Sequence, residues 1–278
     1  MTFLINRSKK FSLMVGLLLL FGCSQKNQLN LTEFVDPFIG TGGTGHTFPG
    51  ATLPFGMVQL SPDTRQNGWD NCSGYHTLNS TILGFSHTHL SGTGAIDYGD
   101  ILVIPMSGTL LTEPGEETNP ETGYRSRFSH SSEEAQPGSY RVTLEDDMIE
   151  AEMTVTERAG FHRYTFTKEG VSHILIDLKH GLGDRTTESW VEINGEREIV
   201  GMRRSTGWAK DQFIYFVAQF SESFESAGIL ENGILLKNSQ KSKGTDLKTF
   251  ASFNFSPKSQ LLVKVAITAV DVEGARLN

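Results

Sequence analysis

The sequence predicts an all-β protein built as a large antiparallel β-sandwich, and three observations support this prediction. From residue 139 onward, apolar side chains recur at every second position. Turn residues separate these short runs, and no stretch after residue 30 sustains the 3.6-residue period of an amphipathic helix. Short strands joined by short turns favour a sandwich, here of about 240 residues, arranged either as one large sandwich or as two stacked ones.

The first strands of this series are predicted to form a hairpin. Residues 139–144 and 149–155 each alternate apolar and polar side chains, and Asp146 and Asp147 lie between them. Alternation of this kind is typical of strands with one buried face, and aspartate is a favoured turn residue. Residues 162–166 continue the series as a further strand.

The remaining apolar runs complete the predicted sheets. Residues 190–200 contain Asn194-Gly195, the dipeptide best able to adopt a type I′ turn between two strands. Residues 212–220 are apolar on both faces, which predicts a strand in the middle of a packed sheet pair rather than at its edge. Further strands are predicted at residues 174–178, 250–255 and 261–270.

Residues 1–22 have the composition of a lipoprotein signal peptide. A basic head precedes an apolar run, residues 11–22, which is shorter than the roughly 20 residues that a membrane-spanning helix needs. The run ends in Leu-Phe-Gly-Cys, which resembles a bacterial lipobox and makes Cys23 the lipidation site. Residues 23–33 are expected to form a tether.

We therefore expect an exported bacterial lipoprotein held by its lipid anchor on the outer membrane or a periplasm-facing membrane. A soluble exported protein whose cysteine falls near the cleavage point is the alternative. Cys72 is then the remaining thiol, so neither an internal disulfide nor a zinc knuckle is expected. The formal net charge of -8 argues against nucleic acid as a partner, because nucleic-acid binding depends on clustered lysine and arginine.

Residues 36–57 are rich in glycine and proline, which favours a loop with unusual backbone angles. Gly40, Gly42 and Gly45 satisfy the GxGxxG pattern. A dinucleotide-binding helix is nevertheless excluded, because Pro49 and Pro54 occupy the positions where that helix would run. We expect an ordered loop whose backbone N–H groups face a ligand or a partner domain.

Residues 67–76 surround Trp69 with short polar side chains. This pattern is typical of a sugar site, because a pyranose packs its C–H face on an aromatic ring while its hydroxyls take fixed donors and acceptors. A core tryptophan beside polar loop residues is the alternative interpretation.

His87 and His89 are expected to share one face of a strand. Together with His76, Asp97 and Asp100 they offer ligands for a transition metal. A buried hydrogen-bonded network that shapes the loops is the alternative, because no third ligand has a diagnostic spacing.

Three segments in order carry a family resemblance. They are DPFIGTGGTGHTFPGATLPFGMVQLSPDT at residues 36–64, GWDNCSGYH at residues 68–76 and GFSHTHLSGTGAIDYGDILVIP at residues 84–105. These segments are similar to the N-terminal region of glycoside hydrolase family 92. The resemblance is dense over residues 34–106 and diffuse over the later strands.

The resemblance implies a calcium-dependent, inverting exo-α-mannosidase that acts on N-glycan or mannan oligosaccharides. In this family a supersandwich-like β-domain precedes an (α/α)₆ barrel, which supplies most of the catalytic carboxylates and calcium ligands. We therefore expect residues 34–278 to be the β-sandwich domain, without the barrel, and assign it neither catalytic residues nor metal ligands. The chain is expected to be a truncated fragment that is inactive alone.

The resemblance also implies partners and sugar contacts. The expected partners are a mannose-containing glycan, the missing (α/α)₆ domain and, through the lipid, a membrane. Two other hypotheses are a stand-alone carbohydrate-binding lipoprotein and a structural module whose loops pack on another protein. The expected substrate-binding residues are Gly43, His46, Trp69, Asp70, Asn71, Cys72, His87 and His89.

Overall fold

The computed structural model of the chain describes residues 29–278. In the described part of a first unit, Leu31–Phe34 form a short 3-10 helix. Residues 35–278 form a second unit, which is almost entirely β-structure. The expected signal peptide, Cys23 and the start of the expected tether lie outside the described residues. Within residues 29–278, no helix has the length and apolar character needed to cross a membrane.

Two large antiparallel sheets make up the second unit. The first has eight strands, in spatial order β1 (Ala51–Thr52), β2 (Gln59–Asp63), β4 (Gly84–Ser86), β5 (Leu102–Ser107), β11 (Gly170–Asp177), β18 (Leu247–Phe255), β15 (Ser226–Glu231) and β16 (Ile234–Leu236). The second has nine, in the order β17 (Lys241–Gly244), β12 (Arg185–Asn194), β13 (Glu198–Thr206), β14 (Gln212–Phe220), β19 (Ser259–Thr268), β10 (Ala159–Phe166), β9 (Ile149–Val155), β8 (Ser139–Leu144) and β7 (Glu134–Gln136). A separate pair joins β3 (Thr81–Ile82) and β6 (Ser126–Arg127).

One core lies between the two sheets, so the strands form a single large sandwich. Val142 of β8 and Ile174 of β11 belong to the same buried cluster, although they come from opposite sheets. Strand β8 buries every second residue, as a strand with one solvated face must. Strand β11 is buried on both faces, because Leu175 packs under Tyr124 in a second cluster on the outer side of the first sheet.

The predicted strands are confirmed, and β14 lies in the interior of the nine-stranded sheet as expected. The predicted type I′ turn is wrong. Asn194 pairs with Glu198 across a three-residue connection in which only Gly195 has a positive φ, of 68°. The sequence also did not predict helix α1 (Val272–Arg276), because five residues are too few to show a helical period.

Candidate functional site

The three motif segments meet beside β4 in the first sheet. The loop at residues 40–50 is bonded to both of the others. The backbone N–H of Gly92 donates to the His46 carbonyl at 2.7 Å, and the Ser73 hydroxyl donates to the Thr47 carbonyl at 2.9 Å. Gly45 approaches the loop backbone so closely that an added Cβ would lie 2.2 Å from the Gly40 carbonyl oxygen. This contact explains a glycine at position 45.

Trp69 lies in a 3-10 turn, Trp69–Asn71, with 56% of its surface exposed. Its ring meets the His46 ring edge-on, with centroids 4.4 Å apart and planes at 85°. Gly94 lies against the indole, since a Cβ there would be 3.1 Å from Nε1 of Trp69. The indole therefore packs against His46 and Gly94 while part of its ring faces solvent. This is expected for a ligand platform and not for a core tryptophan.

Two buried polar atoms beside Trp69 make no hydrogen bond within residues 29–278. They are Nε2 of His46 and Oδ1 of Asn71. His46 also has a φ of 54°, a conformation that non-glycine residues rarely adopt. Leaving a buried polar atom unpaired costs about 1–3 kcal/mol, and such groups with strained backbone cluster at functional sites.

The other expected contacts around Trp69 have different environments. Asp70 is exposed, and Gly43 lies exposed in the glycine-rich loop, where its carbonyl accepts from Nε2 of His76 at 3.3 Å. Cys72 is buried, and its thiol donates to the Trp69 carbonyl at 2.8 Å. Burial raises the pKa of the Cys72 thiol, which keeps it protonated and closes the turn that carries Trp69.

His87 and His89 belong to two separate buried hydrogen-bond networks. This agrees with the alternative interpretation of the sequence, a buried network, and not with a shared transition-metal site. Because a carbonyl only accepts, Nδ1 of His87 must donate to the Ile101 carbonyl at 2.8 Å. Its Nε2 then accepts from Nε2 of His162 at 3.1 Å, and Nδ1 of His162 accepts from the Tyr164 hydroxyl at 2.8 Å. Burial lowers the pKa of both imidazoles and keeps them neutral, which fixes this direction of the chain.

We expect the His87–His162 pair to make the protein acid-labile. Burial lowers the pKa of His87 to about 4 and that of His162 well below its ordinary value. The unfolded chain binds these protons near pH 6.5, so stability falls as the pH drops from about 6.5 toward 4, by about 3 kcal/mol for His87. Urea unfolding at several pH values measures this loss. Constant stability between pH 7 and pH 4.5 would contradict the neutral pair.

Asp63 joins the second network and was not predicted from the sequence. Its carboxylate accepts from Nε2 of His89 and from Nε2 of His180, each at 2.7 Å. Nδ1 of His89 lies 2.7 Å from the Gln59 carbonyl, so both nitrogens of His89 donate and the ring is an imidazolium. Burial alone would raise the pKa of Asp63, but the charge and hydrogen bonds of its histidine partners lower it well below the ordinary value.

Gly74 packs onto this buried ion pair. A Cβ at Gly74 would lie 2.3 Å from Oδ1 of Asp63, and the residue has a φ of 81°. The backbone N–H of Thr64 donates to the Gly74 carbonyl at 2.7 Å. The loop that carries Trp69 is therefore closed at its base by the Asp63 network.

A third buried network surrounds Arg203, which the sequence analysis also missed. The guanidinium donates to Asp100 at 2.6 Å and to both oxygens of Asp184 at 2.8 Å. Asp100 accepts in addition from Thr88 at 2.7 Å. Asp97 is held differently, because its carboxylate accepts from the backbone N–H of Ala209 at 2.6 Å and from that of Tyr98 at 3.0 Å.

Aromatic side chains other than Trp69 are also exposed in the described part of the chain. Phe55 is fully exposed and Trp69 is more than half exposed. Phe48 is partly buried instead, because its ring packs against His89 with centroids 5.1 Å apart. Trp208 is a further exposed aromatic residue, 71% exposed. It follows Gly207, which packs closely on Asp97, since a Cβ on Gly207 would lie 2.7 Å from Oδ1 of Asp97.

The fold and these loops are those of an N-terminal β-sandwich domain of a glycoside hydrolase, as a match to a family model shows. Residues 34–268 match the Glycosyl hydrolase family 92 N-terminal domain. The chain belongs to this family.

Three known proteins illustrate the relationship. An α-mannosidase of family GH92 from Bacteroides thetaiotaomicron, solved in complex with mannoimidazole, is 38% identical with a TM-score of 0.87, over 89% of this chain and 34% of that one. Another GH92 glycosyl hydrolase is 28% identical with a TM-score of 0.78, over 88% of this chain and 33% of that one. A protein of Arthroderma benhamiae, described as an uncharacterized secreted glycosidase, is 33% identical over 159 residues, which are 54% of this chain and 20% of that protein. The chain spans about a third of the length of the solved structures that it matches.

Proposed function

We propose that this chain is the carbohydrate-contacting N-terminal domain of an exported, calcium-dependent, inverting exo-α-mannosidase acting on N-glycan or mannan oligosaccharides. Its Trp69 end forms one wall of the mannose site, and an (α/α)₆ domain forms the other. The likeness to the mannoimidazole-binding enzyme of Bacteroides thetaiotaomicron supports this proposal, because it extends over 89% of this chain.

The surroundings of Trp69 are the observation that carries the proposal. A sugar ring needs an aromatic face for its C–H groups and nearby polar atoms for its hydroxyls. Trp69 offers a half-exposed face, and the unpaired Nε2 of His46 and Oδ1 of Asn71 lie beside it. Gly43 and Asp70 add exposed polar groups to the same loops. A hydroxyl-rich ligand on the ring contacts the exposed groups directly and the two buried atoms through ordered water.

The buried carboxylates of this chain are not placed for acid–base catalysis. Inversion needs a carboxylic acid and a carboxylate separated by about 6.5–9.5 Å on opposite sides of the sugar. Asp63 accepts from two histidines, Asp100 and Asp184 share Arg203, and Asp97 accepts from two backbone N–H groups. Each of these carboxylates is held in hydrogen bonds within the fold. We therefore assign the catalytic pair to the (α/α)₆ domain.

The same residues do not fit a calcium site. Calcium takes six to eight oxygen ligands, several of them carboxylate. In the described part of the chain, no three histidine, cysteine, aspartate or glutamate side chains form a group able to hold a metal ion. The calcium of the complete enzyme is therefore proposed to be held mainly by residues outside this chain.

Export is supported by the lipoprotein-like residues 1–22 and by the description of the Arthroderma benhamiae relative as secreted. We propose that Cys23 carries the lipid and that residues 23–33 tether the sandwich to an outer or periplasm-facing membrane. The stand-alone carbohydrate-binding lipoprotein is the second candidate, because the same Trp69 platform would serve it.

We expect the purified 278-residue chain to release no mannose from α-mannobiosides, with or without calcium, because we assign the catalytic pair and most calcium ligands to the (α/α)₆ domain. Chromatography of the products after prolonged incubation measures this, with an intact family 92 α-mannosidase as the positive control. Calcium-dependent release of mannose by this chain would show that it contains the catalytic groups.

A further inference from the structure

A polar cavity of about 280 Å³ lies next to the Trp69 loop. Gln66 and Asn67 of that loop form one wall, and the connection between β11 and β12 forms the opposite wall with Lys179 and His180. Lys248 of β18 also lines the cavity. Ligand sites for drug-sized molecules begin at roughly 300 Å³, so this cavity suits a smaller molecule, of the size of a single hexose.

One hydrogen bond joins the two walls and fixes their separation. His180 donates from Nε2 to Asp63, so its Nδ1 is the acceptor for the Gln66 amide, 3.0 Å away. The adjacent Arg65 forms an ion pair with Glu117 at 2.7 Å. A cavity fixed in this way needs little ordering when a ligand enters, which favours binding.

Charged side chains line the inner part of the cavity, and they are paired with one another. Lys248 has a side chain only 1% exposed and donates to Glu113 at 2.7 Å. Asp177, 4.0 Å from the same ammonium, accepts from the Tyr124 hydroxyl at 3.0 Å. An ammonium has three protons, so Lys248 retains donor capacity toward the cavity.

The chemistry of the lining selects the class of ligand. The three lining carboxylates outnumber the two lysines, which disfavours an anion. A cation is disfavoured because Lys248 already pairs with Glu113, and Asp184 already pairs with Arg203. The lining is mostly polar, which disfavours an apolar ligand. A neutral molecule with alternating hydroxyl donors and acceptors remains.

We propose that this cavity binds a second, neutral hexose unit of the glycan whose first unit lies on Trp69. The proposal rests on the proposed function for its first unit. Asn67 at the cavity wall is two residues from Trp69, a separation of at most about 7 Å along the chain, so one short oligosaccharide reaches both positions.

Substituting Asn67 tests this subsite, because Asn67 is exposed and an Asn67→Phe side chain would obstruct the cavity. Isothermal titration of the full chain with methyl α-mannoside and with a linear α-mannotriose compares one sugar unit with several. We expect mannotriose to bind the unaltered chain about tenfold more tightly than methyl α-mannoside, and we expect the two affinities to become equal in Asn67→Phe. Asn254→Phe, at an exposed position on β18 away from the lining, is the matched control.

A second readout separates this subsite from the Trp69 site. In ¹H–¹⁵N spectra, the backbone amides of Gly181 and Gly183 at the cavity are expected to shift with mannotriose and to stay unshifted in Asn67→Phe. Two results would overturn the subsite and leave the proposed function standing. One is that the amide signals of Gly181 and Gly183 do not shift when mannotriose is added to the unaltered chain. The other is that Asn67→Phe and the unaltered chain bind mannotriose with equal affinity. If methyl α-mannoside does not bind at all, the proposed function fails, and the response of these two amides to mannotriose decides the subsite alone.

Discussion

Replacing Arg203 with methionine is expected to destabilise the protein by about 3–5 kcal/mol, the usual cost of breaking a buried ion pair by removing one partner. The side chains of Arg203, Asp100 and Asp184 are fully buried. Without the guanidinium, two carboxylates would remain in the core without a cation. Burial already raises the pKa of Asp100 despite the opposing charge of Arg203, so removing that charge leaves the carboxylate in a still less favourable environment.

Urea unfolding of Arg203→Met measures this loss. Arg204→Met is the matched control, because its neighbouring guanidinium forms two hydrogen bonds with Asp211 at the exposed surface. The control is expected to keep the unfolding midpoint of the unaltered protein, because exposed ion pairs contribute little. Equal midpoints for both variants would mean that the Arg203 network does not stabilise the fold.

Replacing Trp69 with alanine is expected to weaken methyl α-mannoside binding at least tenfold, about 1.4 kcal/mol, because the exposed ring is the sugar platform. Stability should change by less than about 1 kcal/mol, as at surface positions, whereas removing a core tryptophan costs about 3–5 kcal/mol. Calorimetric titration and urea unfolding of the same variant separate the two effects.

Trp208→Ala is the matched control for this substitution, because Trp208 is also exposed but does not contact His46. We expect it to bind methyl α-mannoside like the unaltered chain. A Trp69→Ala protein that unfolds early and binds the sugar normally would leave Trp69 with a structural role alone.

The strands could be predicted from sequence where one face is solvated. In β8 and β9 the alternation of apolar and polar residues follows directly from burial of one face. The type of the turn at Asn194 was predicted wrongly, because the register that pairs Asn194 with Glu198 depends on the whole hairpin and not on the dipeptide. Helix α1 is stabilised by its Asp271 cap and by packing on the sheet, neither of which has a periodic signature.

The site was predictable only where its residues are close in sequence. Trp69, Asn71 and Cys72 lie in one motif, whose composition allowed either a sugar-binding or a core tryptophan, and the family resemblance implied the sugar-binding one. Asp63 and His180 are separated by 117 residues, so their contact follows from strand topology and has no local signal. The sequence contains one indication of the buried Arg203 network that could have been used. It shares the core-facing positions of β13 with Ile199, and a charged residue there needs a buried partner.

The indole N–H signal of Trp69 tests the central claim, that this end of the sandwich contacts mannose, most directly. The chain has three tryptophans, so a ¹H–¹⁵N spectrum resolves three indole signals that Trp→Phe variants assign. Titration with methyl α-mannoside to about 100 mM detects even millimolar binding, near -4 kcal/mol. We predict a saturable shift of the Trp69 signal, with the Trp190 and Trp208 signals unchanged. A Trp69 signal that stays still over the whole titration would contradict the account.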